Sequence, residues 1–210
     1  MKISEGLREG DIVVGNNYNK YASKNPIARR LMRGFSESLS ALVSKAAPQA
    51  IHEVGCGEGY WTLAWHQQGM QVKGSDFSEQ VIALAKENAV EQGLPPSLFS
   101  RRSIYELAAG TDSADLIVCC EVLEHLDDPE AGLAALQRVA TRSIILSVPR
   151  EPLWCALNVA RGKYWSSLGN TPGHVQHWSS QAFVGLVQKY FQVQEIRKPL
   201  PWTMVLCKRY

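Results

Sequence analysis

The chain has 210 residues, 45% of them hydrophobic, which suits one compact domain with a full core. Its 22 Lys and Arg against 20 Asp and Glu leave a formal charge of +2, too small by itself to argue for a nucleic-acid or membrane partner. Five cysteines (Cys56, Cys119, Cys120, Cys155, Cys207) form no disulfide-framework spacing, no apolar run follows Met1-Lys2, and no stretch approaches the length of a membrane-spanning helix. A cytoplasmic protein without a signal peptide is expected.

The segment to Asn25 is polar and reads as irregular, with Asn16-Asn17-Tyr18-Asn19 as a loop. Pro26 opens a predicted helix to Lys45, with Ile27, Leu31, Phe35, Leu39 and Leu42 on one face, and Pro48 ends it. The chain then alternates. Ala50–Val54 reads as a buried strand, 60–68 as a helix and 71–75 as a strand, and Ser78 is placed to cap a helix to Gln92. Gly93-Leu94-Pro95-Pro96 breaks the chain before a weaker strand at 98–103. A buried strand at 115–120, a helix at 129–140 and a strand at 143–148 follow. This alternation predicts a parallel sheet with helices on both faces. The end differs: a helix at 179–190 precedes strands at 191–196 and 204–207, joined through Pro199-Leu200-Pro201. That link is too short for a crossover helix, so the last pair is expected to be antiparallel.

The first strand runs into Glu53-Val54-Gly55-Cys56-Gly57-Glu58-Gly59, and the second ends at Asp76-Phe77. Gly55, Gly57 and Gly59 let the backbone turn sharply and come close to a ligand. A carboxylate at Asp76 can accept both hydroxyls of a ribose. Dinucleotide folds favour G-x-G-x-x-G, so that a pyrophosphate sits on the helix N-terminus. Here the spacing is G-x-G-x-G, and Glu53 would repel a pyrophosphate but suit a cationic amine.

This run resembles motif I of the class I S-adenosylmethionine-dependent methyltransferases, most closely their type 11, ubiquinone-pathway-like branch. The resemblance extends from about Ala50 to Cys207 and includes Cys120-Glu121-Val122-Leu123-Glu124-His125 after the fourth strand and Ser147-Val148-Pro149-Arg150 after the fifth. It implies an α/β, Rossmann-like doubly wound sheet of about seven strands with an antiparallel C-terminal hairpin strand. It also implies one domain over 1–210: a cap and helix (1–48), a cofactor-binding core (49–148), a substrate-side insertion (149–178) and a C-terminal helix and hairpin (179–210).

The expected cofactor is S-adenosylmethionine, leaving as S-adenosylhomocysteine, with Glu53, Gly55, Cys56, Gly57, Gly59, Asp76, Phe77, Ser103, Ile104 and Cys120 as its contacts. Relatives put an acidic residue where Ser103 stands, so the adenine contact there differs, although Ile104 can offer its backbone N–H. An arginine near Arg29-Arg30 meets the cofactor carboxylate in some relatives.

Methyl transfer from a sulfonium is an in-line displacement that needs positioning above all. A base helps when the acceptor is a hydroxyl, and His125 is the candidate. Glu121 and Glu124 are expected on one helical face with His125 adjoining. A similar Glu-x-x-Glu-His serves a divalent ion in ubiquinone-pathway and small-RNA 2′-O-methylating enzymes, with His174 or His177 as a further ligand. Helix-capping or solvated glutamates are preferred here, because motifs travel with folds more than functions do.

The connection from Arg150 to Trp178 carries Leu153, Trp154, Leu157, Val159, Tyr164, Trp165 and Leu168 with Arg150, Arg161 and Lys163. It suits a lid over an apolar, ring-bearing or anionic acceptor, a plain amphipathic helix, or a membrane-surface contact. The preferred function is O-methylation of a small molecule or a glycan or lipid precursor. An RNA 2′-O-methyltransferase is the alternative, opposed by the lack of a basic tract. A catalytically silent cofactor-binding partner protein and an NAD-dependent oxidoreductase are further alternatives, opposed by the intact motif and by the glycine spacing respectively.

Overall fold

The computed structural model describes residues 1–210 except Gly10, Asp11, Asn17, Tyr18, Arg161, Lys163 and Pro172, and except the side chains of Ile12, Val13 and Ser166. The expected loop positions Asn17 and Tyr18 and the cations Arg161 and Lys163 therefore lie outside the described residues. Seven strands form one sheet: β3 (Ala50–Val54), β4 (Gln71–Asp76), β5 (Phe99–Arg101), β6 (Ala114–Cys120), β7 (Ala140–Pro149), β8 (Phe191–Arg197) and β9 (Trp202–Arg209). Their order is β5-β4-β3-β6-β7-β9-β8. The first five are parallel, and β9 runs antiparallel to both β7 and β8. The strand order reverses between β3 and β6, so their carboxyl ends frame the crevice where such sheets bind ligands.

Helices α1 (Pro26–Ala46), α2 (Tyr60–Gln67), α3 (Glu79–Glu91), α4 (Pro129–Val139), α5 (Leu153–Ala160) and α6 (Ser180–Val187) complete the fold. Asn25 caps α1 by accepting from the Ile27 and Ala28 amides, and Ser78 caps α3 through Val81. Phe35, Leu39 and Leu42 of α1 pack with Ile51, Trp65, Leu116, Ile145 and Met204. Leu133 and Leu136 of α4 and Phe183 and Val187 of α6 pack with Ile117, Ile144, Leu146 and Val205. Alternate residues of β6 and β7 thus feed two cores on opposite sides of one sheet. Ile27, expected on the apolar face of α1, is 65% exposed, because the core contacts begin only at Leu31.

Two further expectations change. The strand after the Gly93–Pro96 break is only three residues long, because Ser103 already caps a 3-10 turn over Ile104–Glu106. The described N-terminal segment is irregular as expected except for one short pairing, in which β1 (Arg8–Glu9) and β2 (Ile12–Val13) run antiparallel. Among the described residues no helix is long and apolar enough to cross a membrane.

Gly59 illustrates how tightly the turn before α2 is built. It sits at φ +88°, and a Cβ there would lie 2.5 Å from the Phe99 ring of the edge strand. Gly59→Ala should lower unfolding free energy by about 2–4 kcal/mol, combining left-handed strain with overpacking. Chemical denaturation read by circular dichroism measures this; an unchanged midpoint would contradict the crowding.

Candidate active site

The glycine turn is fastened to the neighbouring strand. The Gly55 and Cys56 amides both donate to the Ser75 carbonyl (2.7 and 2.9 Å), and Gly57 N donates to Asp76 Oδ2 (3.1 Å). Asp76 Oδ1 accepts from Ser78 N at 3.1 Å, so the carboxylate is aimed before any ligand arrives. Burial raises the Asp76 pKa, against those amide bonds. The three glycines are not equivalent. A Cβ at Gly55 would strike Val122 at 2.2 Å, and Gly59 is closed by Phe99, whereas at Gly57 the nearest atom is Asn16 Nδ2 at 3.8 Å. Of the three, only Gly57 would meet no more than an ordinary contact among the described residues; the other two make room for protein side chains.

Glu53 is the penultimate residue of β3, next to this turn. Its Oε2 accepts from the Thr62 amide at 2.9 Å and from the Thr62 hydroxyl, tying it to the first turn of α2. Complete burial pushes its pKa up to about 8; Asp76 adds to that rise, and the Thr62 bonds and the Lys20 ammonium oppose it. The Cys56 side chain is buried with Leu63, Ile82 and Phe99, so only its backbone remains for a ligand. Phe77 is 39% exposed beyond the end of β4. The Ser103 hydroxyl is engaged by Tyr105 N, and Glu106 reaches back to Ser103 N in a capping box, while Ile104 is buried beside it. Arg29 and Arg30 are exposed on the first turn of α1. Cys120 ends β6, and burial raises its thiol pKa.

Sequence reasoning missed the N-terminal strap and its anchor, Glu58. Glu58 is 1% exposed; its Oε1 accepts from Ser4 N (3.0 Å) and Asn16 N (2.8 Å), and its Oε2 takes the Asn16 side-chain amide. Burial alone would raise its pKa, but the Ser4 and Asn16 bonds outweigh burial and lower it. Asn88 of α3 completes the anchor, pairing with both backbone groups of Lys2 and with the Glu58 carbonyl. The strap carries Tyr21 onto Tyr60, stacked at 3.5 Å and 5°, and edge-on to Trp61. Aromatic contacts continue through Trp61–Phe35, Phe35–Trp202, Trp202–Trp154 and Trp154–His174, forming a wall from the glycine turn to the far side of the cleft.

Beyond β6 the expected helical face does not form. Glu121 is left-handed (φ 60°), and only a single 3-10 turn, Leu123–His125, precedes α4, which Asp128 caps. Glu121 is also fully engaged: Ser147 Oγ donates to Oε1 (2.9 Å) and Trp202 Nε1 to Oε2 (2.6 Å), tying the ends of β6, β7 and β9. Burial raises its pKa to about 7. The preferred capping or solvated role for the glutamates fails at Glu124, which is 1% exposed with neither carboxylate oxygen bonded to another of the described residues. Burial, then Glu121, holds its pKa well above the usual carboxylate range.

The backbone brings a distant histidine to it. Val175 N and Gln176 N both donate to the Glu124 carbonyl (2.9 and 3.1 Å), which delivers His174 beside His125, ring centroids 4.9 Å apart. Ligand atoms of Glu124, His125 and His174 all lie within 4.8 Å of one another. His125 Nδ1 lies 2.8 Å from the Gly173 carbonyl. A carbonyl only accepts, so Nδ1 carries the proton and Nε2 keeps its lone pair. Burial lowers the His125 pKa, and burial followed by the His125 and His177 rings lowers that of His174 to about 3. Both imidazoles are neutral at pH 7, the form that ligates cations. In the substrate-side connection, Trp154 reaches His174, but Trp165 and Leu168 are 67% and 84% exposed and close nothing.

Comparison with known proteins agrees with this geometry. A family described as a methyltransferase domain matches residues 52–146. A ubiquinone biosynthesis O-methyltransferase of Hahella chejuensis is 37% identical over 91 residues, covering 43% of this chain and 38% of that protein. The corresponding protein of Xanthomonas axonopodis pv. citri is 29% identical over 136 residues, covering 63% and 56%. The chain thus spans about half the length, or less, of these curated relatives. The fold matches magnesium protoporphyrin IX methyltransferase from Synechocystis PCC 6803, solved with bound SAH, at a TM-score of 0.67 and 19% identity over 90% of each chain. Residues 52–146 thus match a methyltransferase domain, and the chain's fold is similar to that of a methyltransferase solved with bound SAH.

Proposed function

We propose that this protein is an O-methyltransferase for a hydroxylated, ring-bearing small molecule, using S-adenosylmethionine and a divalent cation held by Glu124, His125 and His174. One observation carries this reading: a fully buried carboxyl group, with neither oxygen hydrogen-bonded to another of the described residues, sits within ligand distance of two neutral imidazoles. Such a group is costly unless a cation joins it. The curated relatives are named O-methyltransferases, which supports oxygen as the acceptor atom.

The sulfonium supplies the methyl group, and a divalent ion lowers the pKa of a hydroxyl bound to it. The chain's own residues do the rest. Asp76 takes the ribose hydroxyls and Glu53 the cofactor's α-ammonium. The Tyr21–Tyr60–Trp61 cluster excludes water where the sulfonium charge disappears, and the aromatic wall to Trp154 presents faces for a ring. Glu121 acts as a positioning residue, holding the strand ends on which Glu124 and Cys120 stand. The second reading keeps His125 as a simple base, because Nε2 is already an acceptor.

Chelator-treated protein, labelled S-adenosylmethionine and a catechol-type diphenol separate the readings. Methyl transfer should need added Mg²⁺ or Mn²⁺, while binding of S-adenosylhomocysteine by calorimetry should not. Turnover that survives chelation but falls on His125→Ala would select the base. Transfer to an RNA oligonucleotide and not to the diphenol would replace the acceptor class, and tight binding of NAD alone would overturn the proposal.

A further inference from the structure

A second cluster lies outside the cleft, on the connection after β7. Glu151 Oε1 is 3.4 Å from Cys155 Sγ and 3.5 Å from His177 Nδ1, and these ligand atoms all fall within 4.8 Å of one another. The other carboxylate oxygen is held by the Cys155 amide at 3.2 Å, which fixes the rotation of the group. The two chain segments are tied independently: Glu151 N donates to the Trp178 carbonyl at 2.9 Å, and Arg150 bridges to Trp178. Neither the proposed transfer chemistry nor the packing of the core uses these side chains.

We propose that Glu151, Cys155 and His177 form a three-ligand zinc site that clips together the two ends of the substrate-side connection. For a tetrahedral centre with bonds of about 2.0–2.3 Å, edges between ligand atoms run to about 3.3–3.8 Å, and both Glu151 distances fall in that range. A thiolate, an imidazole and a carboxylate together favour Zn²⁺ over Mg²⁺ or Ca²⁺, which prefer oxygen alone. The Glu151 side chain is 11% exposed and His177 41%, so the fourth position opens to solvent and a water completes it. On binding, the Cys155 S–H bond breaks, the proton leaves to solvent and an Sγ–Zn bond forms.

The clip joins the end of β7 to the residue before Trp178. The enclosed chain carries Trp154, which stacks on His174 at 5.9 Å. The backbone contacts to Trp178 already close this loop, so the metal would add a side-chain tie beside them, close in sequence to His174. This inference does not rest on the proposed reaction, and its test reads metal binding alone.

Full-length protein stripped by chelator and titrated with Co²⁺ should develop a thiolate-to-cobalt charge-transfer band in the near ultraviolet. In Glu124→Gln, where the other cluster lacks its carboxylate, the band should saturate at one equivalent and bleach on adding Zn²⁺. It should vanish in Cys155→Ser and persist in Glu124→Gln and His174→Ala, which belong to the other cluster. His177→Ala, a change at an exposed residue, should weaken Zn²⁺ affinity by at least about 100-fold, more than the loss of a supporting partner costs. Absence of the band in the unsubstituted protein would overturn the proposal, leaving a thiol–carboxylate hydrogen bond and a Glu151–His177 ion pair. A band that survives Cys155→Ser would also overturn it, since another cysteine would then supply the sulfur.

Discussion

Glu124→Gln is expected to reduce methyl transfer by at least about 100-fold, some 2.7 kcal/mol of transition-state stabilisation, without weakening cofactor binding. The amide keeps the shape of the side chain and removes its charge. Among the described residues neither oxygen of Glu124 accepts from another residue, so the amide breaks no bond to a neighbouring side chain. The cost relieved is that of a buried, unpaired carboxyl group, which exceeds the roughly 1–3 kcal/mol of an unsatisfied neutral amide once the carboxyl ionises. The folded-state pKa of Glu124 is raised, so its contribution to stability is complete below the unfolded value and erodes as pH rises through the folded one. Above neutral pH the cation-free variant should therefore unfold at a higher temperature than the unsubstituted protein. Activity falls and stability rises together, as at sites where function is kept at a structural cost. A residue serving only the fold would behave the other way, with lower stability and retained turnover. Scanning calorimetry at pH 7–9 beside single-turnover transfer distinguishes the two patterns.

The parts of the fold that were legible in the sequence are those set by local pattern. Ala114–Cys120 and residues 144–148 are near-continuous apolar runs because parallel strands are covered on both faces, whereas Ala50–Val54, equally covered, buries His52 and Glu53. The short Pro199–Pro201 link fixed the antiparallel sense of β8 and β9. The N-terminal strap was illegible because long-range side-chain bonds hold it: Ser4 and Asn16 to Glu58, and Lys2 to Asn88. No periodicity announces a carboxylate that collects four donors from a distant segment. Glu58 stands between two of the motif glycines, yet its role becomes visible only once the strap folds over it.

The acceptor end shows the same division. Glu124 and His125 are neighbours in the chain, and their chemistry could be named from the sequence. Their geometry could not. A helical spacing was expected from Glu121 to His125, but the left-handed Glu121 turns the chain away and spends its carboxylate on Ser147 and Trp202. A non-glycine residue at φ 60° is uncommon, and local propensity does not foresee it. His174 was one of two candidate histidines. The two backbone bonds to the Glu124 carbonyl bring it in, while His177 turns toward Glu151.

The affinity for S-adenosylhomocysteine is expected to rise about tenfold per pH unit from pH 6 to 8 and to rise no further above it. Glu53 is the cause. Burial holds its pKa near 8 in the ligand-free protein, so at neutral pH most molecules carry it protonated. Pairing with an α-ammonium requires the carboxylate, so binding below pH 8 must expel a proton, and affinity follows the fraction already ionised. Above pH 8 the Glu53 carboxylate is already ionised, so no further gain follows. Stability runs in the opposite sense. With the folded pKa near 8 and the model-compound value 4.5, the ligand-free fold loses stability as pH climbs from 4.5 toward 8, up to about 1.4 kcal/mol per unit. The bound cofactor restores it by mass action. Glu53→Gln removes the titration while keeping an acceptor for Thr62, so its affinity should be weaker at pH 8 and nearly level down to pH 6. Titration calorimetry in two buffers of different ionisation enthalpy counts the proton directly. No proton release at pH 7, or a Gln variant as pH-sensitive as the unsubstituted protein, would remove Glu53 from the ammonium site and leave the Lys20 ammonium as its nearest cationic partner.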